Sequence, residues 1–218
     1  MTRETVIPAL AEFDARFREN GASVLAGVDE AGRGPLAGSV FAAAVVLPPS
    51  LEIPYLNDSK KLTERRRELL FDVICRSAVA FGIAEASVEE IERLNILNAA
   101  MLAMNRAVRS MAMPDGSPVC PDLLLIDGDK ARGFSVETRC VVGGDALSQS
   151  IAAASVLAKV SRDRSMRALA ELYPQYGFDK HKGYGTKAHY QALDQFGPSP
   201  VHRLSFLKKY FAAKRAEE

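Results

Sequence analysis

An apolar run at Val24, Leu25, Ala26 and Val28 ends on two adjacent carboxylates, Asp29 and Glu30, crosses Gly32-Arg33-Gly34-Pro35, and resumes from Val40 to Leu47. Continuous apolar runs of this length bounded by Gly and Pro predict two buried strands joined by a tight turn. Further strands are predicted over 79–86, over 123–126, where LLLI ends on Asp127-Gly128, and over 138–142. Helical periodicity appears between them. An amphipathic helix is predicted over 5–20, starting near Pro8 and ending by Gly21. In a second, over 58–78, Leu62, Leu69, Leu70, Val73 and Ile74 share one face, with Thr63 or Ser59 as N-cap. Ser87 and Glu90 have capping-box spacing and open one long helix to about Met111. Another long helix follows Gly143-Gly144, with Asp145 at or near its start, and is stopped by Pro174. Its small face, Ala152, Ala153, Ala154, Ser155 and Ala158, lets it lie close to a sheet. A shorter helix is expected over 187–196, ahead of a basic end.

Strands and helices that alternate in this way make an α/β protein. With no repeat or low-complexity linker in its 218 residues, the chain is expected to be one domain, with about 170–218 as a helical, basic extension. The 48% hydrophobic content suffices for a core, and no apolar run reaches the roughly 18 residues of a membrane span. Cys75, Cys120 and Cys140 are odd in number and widely spaced, which favours neither a disulfide framework nor a zinc site and suits a reducing cytoplasm. The N-terminus lacks the layout of a signal peptide, so a cytoplasmic location is expected.

Charge changes the picture. The net charge of +1 conceals 12 Lys+Arg against 6 Asp+Glu from Lys159 onward, which leaves 16 against 21 before it. An acidic body with a basic final third is compatible with a cation-holding site beside a polyanion-gripping surface, as well as with a merely solvated helical face. Sites in open α/β sheets sit beyond the carboxyl ends of strands, so Asp127 is expected near Asp29 and Glu30. At a helix start, Asp145 by itself reads more readily as an N-cap than as a fourth ligand. Two carboxylates about 4 Å apart at an effective dielectric near 20 repel by about 4 kcal/mol, so such acids call for divalent cations. One geometric difficulty attends this reading. Neighbouring strand residues point to opposite faces, so Asp29 and Glu30 share a site only if the strand ends or twists there. Lys60 at a helix start and Lys182 in the glycine-rich loop His181-Lys182-Gly183-Tyr184-Gly185 are candidate phosphate contacts. Asn95, Asn98 and Asn105 could orient site groups or simply satisfy helix-surface hydrogen bonds, and Asp163 is expected to pair with an arginine.

Taken together, VDEAGRGPLAG, NDSKKL, LLIDGD, GGDALSQSIAAASVLAKVSRD, HKGYGT and GPSPVHRLSF resemble bacterial ribonuclease HII, the type 2 ribonuclease H, in order over roughly residues 20–210. The resemblance implies an RNase H-like fold, a central mixed five-stranded sheet flanked by helices. It implies an endonuclease that cuts the RNA of RNA/DNA hybrids and nicks beside single ribonucleotides in duplex DNA, leaving 3′-hydroxyl and 5′-phosphate ends. Asp29, Glu30, Asp127 and Asp145 match the family's metal-binding acids, for two Mg2+ or Mn2+ ions. Gly32, Arg33 and Gly34 match the loop that reads the ribose 2′-hydroxyl, and Tyr184 the tyrosine at the RNA-to-DNA junction. A monomer without a membrane partner is expected, and nothing in the sequence supports a replication-clamp contact by the C-terminal tail. Three rivals are a junction resolvase of the same fold, a non-catalytic nucleic-acid-binding module, and a dinucleotide-binding turn. The last is disfavoured because Gly32, Gly34 and Gly38 are spaced GxGxxxG with Pro35 intruding and the acids before the turn.

Overall fold

The computed structural model describes residues 8–57 and 59–217. Five strands, β1 (Leu25–Ala31), β2 (Val40–Val46), β3 (Ala80–Ala86), β4 (Leu123–Asp127) and β5 (Glu137–Val141), form one sheet in the order β3-β2-β1-β4-β5. The pairs β1–β2 and β2–β3 are antiparallel, whereas β1–β4 and β4–β5 are parallel. This is the mixed five-stranded sheet that the resemblance implied.

Both faces are covered, and strand alternation decides which residue meets which cover. Ala26, Val28, Val40, Ala42, Ala44, Leu124 and Ile126 pack against Ala99, Ala103, Met104 and Ala107 of helix α4 (Ile96–Arg109). Ala43 and Val45 point the other way, to α2 (Glu64–Ser77) and the long α5 (Gln149–Leu172). The small face of α5 does bring it in close. A Cβ on Gly27 would lie 2.1 Å from the Ser150 carbonyl carbon, so β1 must carry glycine where α5 begins. The N-terminal helix α1 (Pro8–Glu19) packs Leu10 on the α5 side; residues 5–7 of the helix expected over 5–20 lie outside the described residues.

Two helix expectations need correction. The long helix over 87–111 is two helices, α3 (Val88–Leu94) and α4. Asn95 between them takes φ +67°, and its Oδ1 accepts from the Leu97 and Asn98 N–H groups. Asparagine is among the few residues that tolerate positive φ and also cap, so it ends one helix and starts the next. The second correction concerns Asp145, which does not begin α5. It sits in a separate 3-10 turn, Gly144–Ala146, and Ser148 caps α5 by accepting from Ile151 N–H at 3.2 Å.

Beyond α5, helices α6 (Phe178–His181), α7 (Lys187–Phe196) and α8 (Leu204–Glu217) gather around Tyr176, Phe178, Leu193 and Leu207 and meet α5 at Met166. Among the described residues no helix is long and apolar enough to cross a membrane.

Candidate functional site

The parallel pairing of β1 with β4 stops at Val28 and Ile126, while β1 continues beside β2 to Ala31. Asp29 and Glu30 therefore stand on an edge that has lost its partner, and Asp127 is the next residue of the strand that left. Asp145 comes in on its 3-10 turn, and oxygens of Asp29, Asp127 and Asp145 all lie within 4.8 Å of one another. The strand does not end at Glu30 but runs on to Ala31, so the two neighbours do point to opposite faces, and the close cluster of carboxylates takes in Asp29, not Glu30. Asp29 turns toward α5, where Ser155 hydrogen-bonds its carboxylate. Glu30 turns the other way, into a cleft of about 370 Å³ whose lining includes Arg33, Asn95, Asn98, Asp127, Lys130 and Arg132. Asp127 faces both and links the two.

Local hydrogen bonds aim these groups. Asp29 Oδ1 accepts from Glu30 N–H at 2.7 Å, and Asp127 Oδ1 accepts from Gly144 N–H at 2.7 Å, which ties the β4 end to the turn carrying Asp145. Ser155 is itself fixed by Ser59 at 2.8 Å. Burial, then the charges of Glu30 and Asp127, push the Asp29 carboxyl well above the usual carboxylate range. Glu30 is also raised, by burial first, although Arg33 donating to its Oε1 at 3.0 Å opposes this. Raised carboxyls in contact mark a site with too much negative charge for its volume. The oxygen-only donor set fits a hard divalent cation, and the buried orientation of Asp29 and Asp145, 4% and 6% exposed, fits a ligand shell rather than a solvated surface.

Three residues after Glu30 the electrostatics reverse. Arg203, fully buried, spends all five of its N–H groups on main-chain carbonyls of the turn: Gly32 at 2.7 Å, Arg33 at 3.1 Å, Pro35 at 2.9 Å and Gly38 at 2.9 and 2.7 Å. Arg162 of α5, 1% exposed, donates to Ala37, Ser39 and Lys182 carbonyls. A Cβ on Gly32, whose φ is +103°, would lie 2.1 Å from Arg162 Nε, so glycine is required there on two counts. Burial, then the Arg162 charge, brings Arg203 down to about 9. The Tyr184 ring, 45% exposed, stands beside this turn, 3.7 Å from where a Gly34 Cβ would be.

Of the two lysines, Lys60 is exposed with its Nζ 3.5 Å from Asp145 Oδ2, at the rim of the acid cluster. Lys182 sits elsewhere, its Nζ donating to the Asp179 carbonyl and lying 3.7 Å from Glu64. Asn98 and Asn105 donate to the Leu94 and Met101 carbonyls of their own helices, and Asn105 also to the Arg132 carbonyl at 3.1 Å. Asp163 pairs with Arg67 at 3.6 Å, as expected, and also with Lys159 at 2.6 Å. Ser155, Arg162 and Arg203 escaped the sequence reading. Ser155 reads only as a small residue of a helix face and Arg203 only as one charge in a basic tail; contacts that reach well over a hundred residues back along the chain leave no local signal.

The family model described as Ribonuclease HII matches residues 26–209. A ribonuclease HII from Endomicrobium trichonymphae is 52% identical over 195 residues, covering 89% of this chain and 90% of its own. That of Cupriavidus necator is 55% identical over 182 residues, 84% of this chain and 75% of its own. Among solved structures, the ribonuclease H2 from Pyrococcus horikoshii OT3 superposes with a TM-score of 0.66 at 23% identity, over 83% of this chain and 92% of that one. Bst-RNase HIII in complex with Mn2+ gives 0.59 at 17% identity, over 83% and 65%. These likenesses place the fold among RNases H2 and H3.

Proposed function

Since the chain belongs to the ribonuclease HII family, nucleases of RNA/DNA hybrids, we propose that it is a divalent-metal-dependent endonuclease that cuts both the RNA of hybrids and the bond 5′ to a single ribonucleotide in duplex DNA. The observation that carries this is the convergence of Asp29, Asp127 and Asp145 within 4.8 Å at strand ends, with Glu30 adjoining through Asp127. These four carboxylates would hold two ions, Mg2+ or Mn2+. When bound, such ions supply an activated water and charge for the leaving 3′ oxygen, so that 3′-hydroxyl and 5′-phosphate ends result.

The chain's own residues supply position and selection. Ser155 and the Gly144 N–H hold Asp29 and Asp127 in place before anything binds. The braced turn would bring the Gly32, Arg33 and Gly34 backbone against the ribose 2′-hydroxyl, the group that tells RNA from DNA. Tyr184, beside that turn and exposed, would meet the sugar at the RNA-to-DNA junction. Lys60 would meet a phosphate next to Asp145. Lys182, held by Asp179 and Glu64, would act on the substrate only after giving up those partners. We assign the basic segment of about residues 170–218, with 8 Lys+Arg against 5 Asp+Glu, to gripping the duplex.

The test is a DNA duplex with one ribonucleotide, incubated with and without Mg2+. A single Mg2+-dependent nick on the 5′ side of the ribonucleotide is expected. An intact duplex, or cutting that persists in chelator, overturns the proposal.

A further inference from the structure

The three histidines of the chain all lie in the C-terminal part, away from the acids, and the proposed cleavage uses none of them. Two of them, His189 at 0% and His202 at 2% exposure, are among its most buried polar side chains. Their Nε2 atoms are 2.9 Å apart. At one end His202 Nδ1 accepts from Ser199 N–H at 2.9 Å; at the other His189 Nδ1 lies 3.0 Å from the Tyr184 carbonyl oxygen. Both ends dictate the same protons. An N–H facing Nδ1 of His202 leaves that ring with its proton on Nε2, and a carbonyl facing Nδ1 of His189 puts the proton there. His202 Nε2–H then donates to His189 Nε2, and the chain Ser199 to His202 to His189 to Tyr184 runs in one direction with both rings neutral. Burial lowers both imidazoles, His202 to about 4, consistent with this assignment.

What the chain holds is the loop that presents the tyrosine. Gly183 on one side takes φ +81° and Gly185 follows on the other, and within the loop Tyr184 N–H donates to the His181 carbonyl at 2.9 Å and Thr186 N–H to the Tyr184 carbonyl at 2.8 Å. The loop is also tethered from outside at three successive carbonyls: Lys182 by Arg162, Gly183 by Leu36 N–H at 2.8 Å, and Tyr184 by His189. His202, which orients His189, precedes Arg203, which grips the Gly32 turn. Adjacent residues thus refer both halves of the ribose-facing surface to one backbone segment.

We propose that His189 and His202 are positioning residues that hold Tyr184 in register with the Gly32-Arg33-Gly34 turn, so that disrupting their chain impairs cutting at single ribonucleotides more than cutting of long hybrids. The inference rests on the reading of Tyr184 given above. Asparagine and glutamine separate the two links of His189, because Asn Nδ2 occupies the Nδ1 position and can still donate to Tyr184, while Gln reaches only the Nε2 position. The experiment measures, for the full chain, the ratio of initial rates on a single-ribonucleotide duplex and on a long hybrid, together with amide hydrogen exchange over 183–186. His189→Gln is expected to lower the ratio by about tenfold, the scale of one hydrogen bond, and to speed exchange at those amides. His189→Asn should keep the ratio within about twofold of wild type. Equal ratios in the two variants, or unchanged exchange in His189→Gln, overturn the inference. Tyr184→Ala is the control: if it leaves the ratio unmoved, the reading of the tyrosine itself fails, whereas a ratio moved by Tyr184→Ala but not by His189→Gln sinks only the histidine chain.

Discussion

Around Asp29, carboxylates from three separate segments crowd within 4.8 Å, burial and neighbouring carboxylates raise Asp29 and Glu30, and the positive charges nearby, Arg33, Lys130 and Arg132 along the cleft and the exposed Lys60 at the rim, stand at its edge. Around Gly32, three residues on, a buried guanidinium is surrounded by four carbonyl oxygens and every one of its N–H groups is used. The first region carries an excess of negative charge. The second is held together by its own main-chain carbonyls, although Arg162 Nη1 is buried without a hydrogen-bond partner among the described residues and the Arg162 and Arg203 guanidiniums repel. On the function proposed above the difference makes sense: a site that binds cations needs unsatisfied charge, whereas a surface that measures the position of one hydroxyl needs stiffness, which main-chain carbonyls fixed by arginine provide.

The contrast can be broken most sharply at the acids. Asp29→Asn or Asp127→Asn should lower cleavage of both substrates by roughly 10³-fold or more while the fold stays intact. In the absence of divalent cation these variants should melt higher than wild type, because repulsion worth up to about 4 kcal/mol per carboxylate pair is relieved. Mg2+ should raise the melting temperature of wild type and raise theirs less. Full activity in either variant would remove the acids from the mechanism.

Arg203→Met should do the reverse, costing roughly 3 kcal/mol of stability by leaving carbonyls of the turn unsatisfied, with no change in the stabilisation conferred by Mg2+. Denaturant midpoints with and without the ion measure both. A loss well under 1 kcal/mol would mean that the turn is not held by this residue.

Acid should find the histidine pair. The folded pKa of His202, about 4, lies below the unfolded value near 6.5, so the unfolded chain takes up the proton first. Its contribution is complete above about pH 6.5 and is lost as pH falls toward 4, by roughly 1 kcal/mol per pH unit in that window. Melting curves of His202→Gln should show a shallower pH slope than wild type there; parallel slopes would argue against a buried neutral imidazole. The smallest effect is expected at Lys60. Lys60→Ala should weaken duplex binding slightly and reduce the salt slope of the affinity by about 1, with selectivity unchanged.

Much of this was legible without coordinates. The five strands, the cap at Thr63, the capping box at Ser87, and the placing of acids where apolar runs stop all follow from periodicity and punctuation, which are local. The break at Asn95 was missed because helical periodicity continues across it, and one residue at positive φ leaves no trace in the pattern. Asp145 was drawn into α5 because a helix-favouring sequence conceals where the helix starts, and only the Ser148 bond to Ile151 decides it.

Which side chains carry charge, and where strands run out into acid, the sequence determined by itself, since both depend on residue type and short-range order. Tertiary structure alone decided that Asp29 joins Asp127 and Asp145 while Glu30 turns to the opposite face, because β4 leaves β1 after Val28 and Asp127 stands between them. It also decided that two arginines counted as part of a basic face are buried braces. A guanidinium is the same residue whether it meets solvent or carbonyls, and the carbonyls that settle the matter lie about 170 residues away for Arg203 and, at the Gly32 turn, about 125 for Arg162.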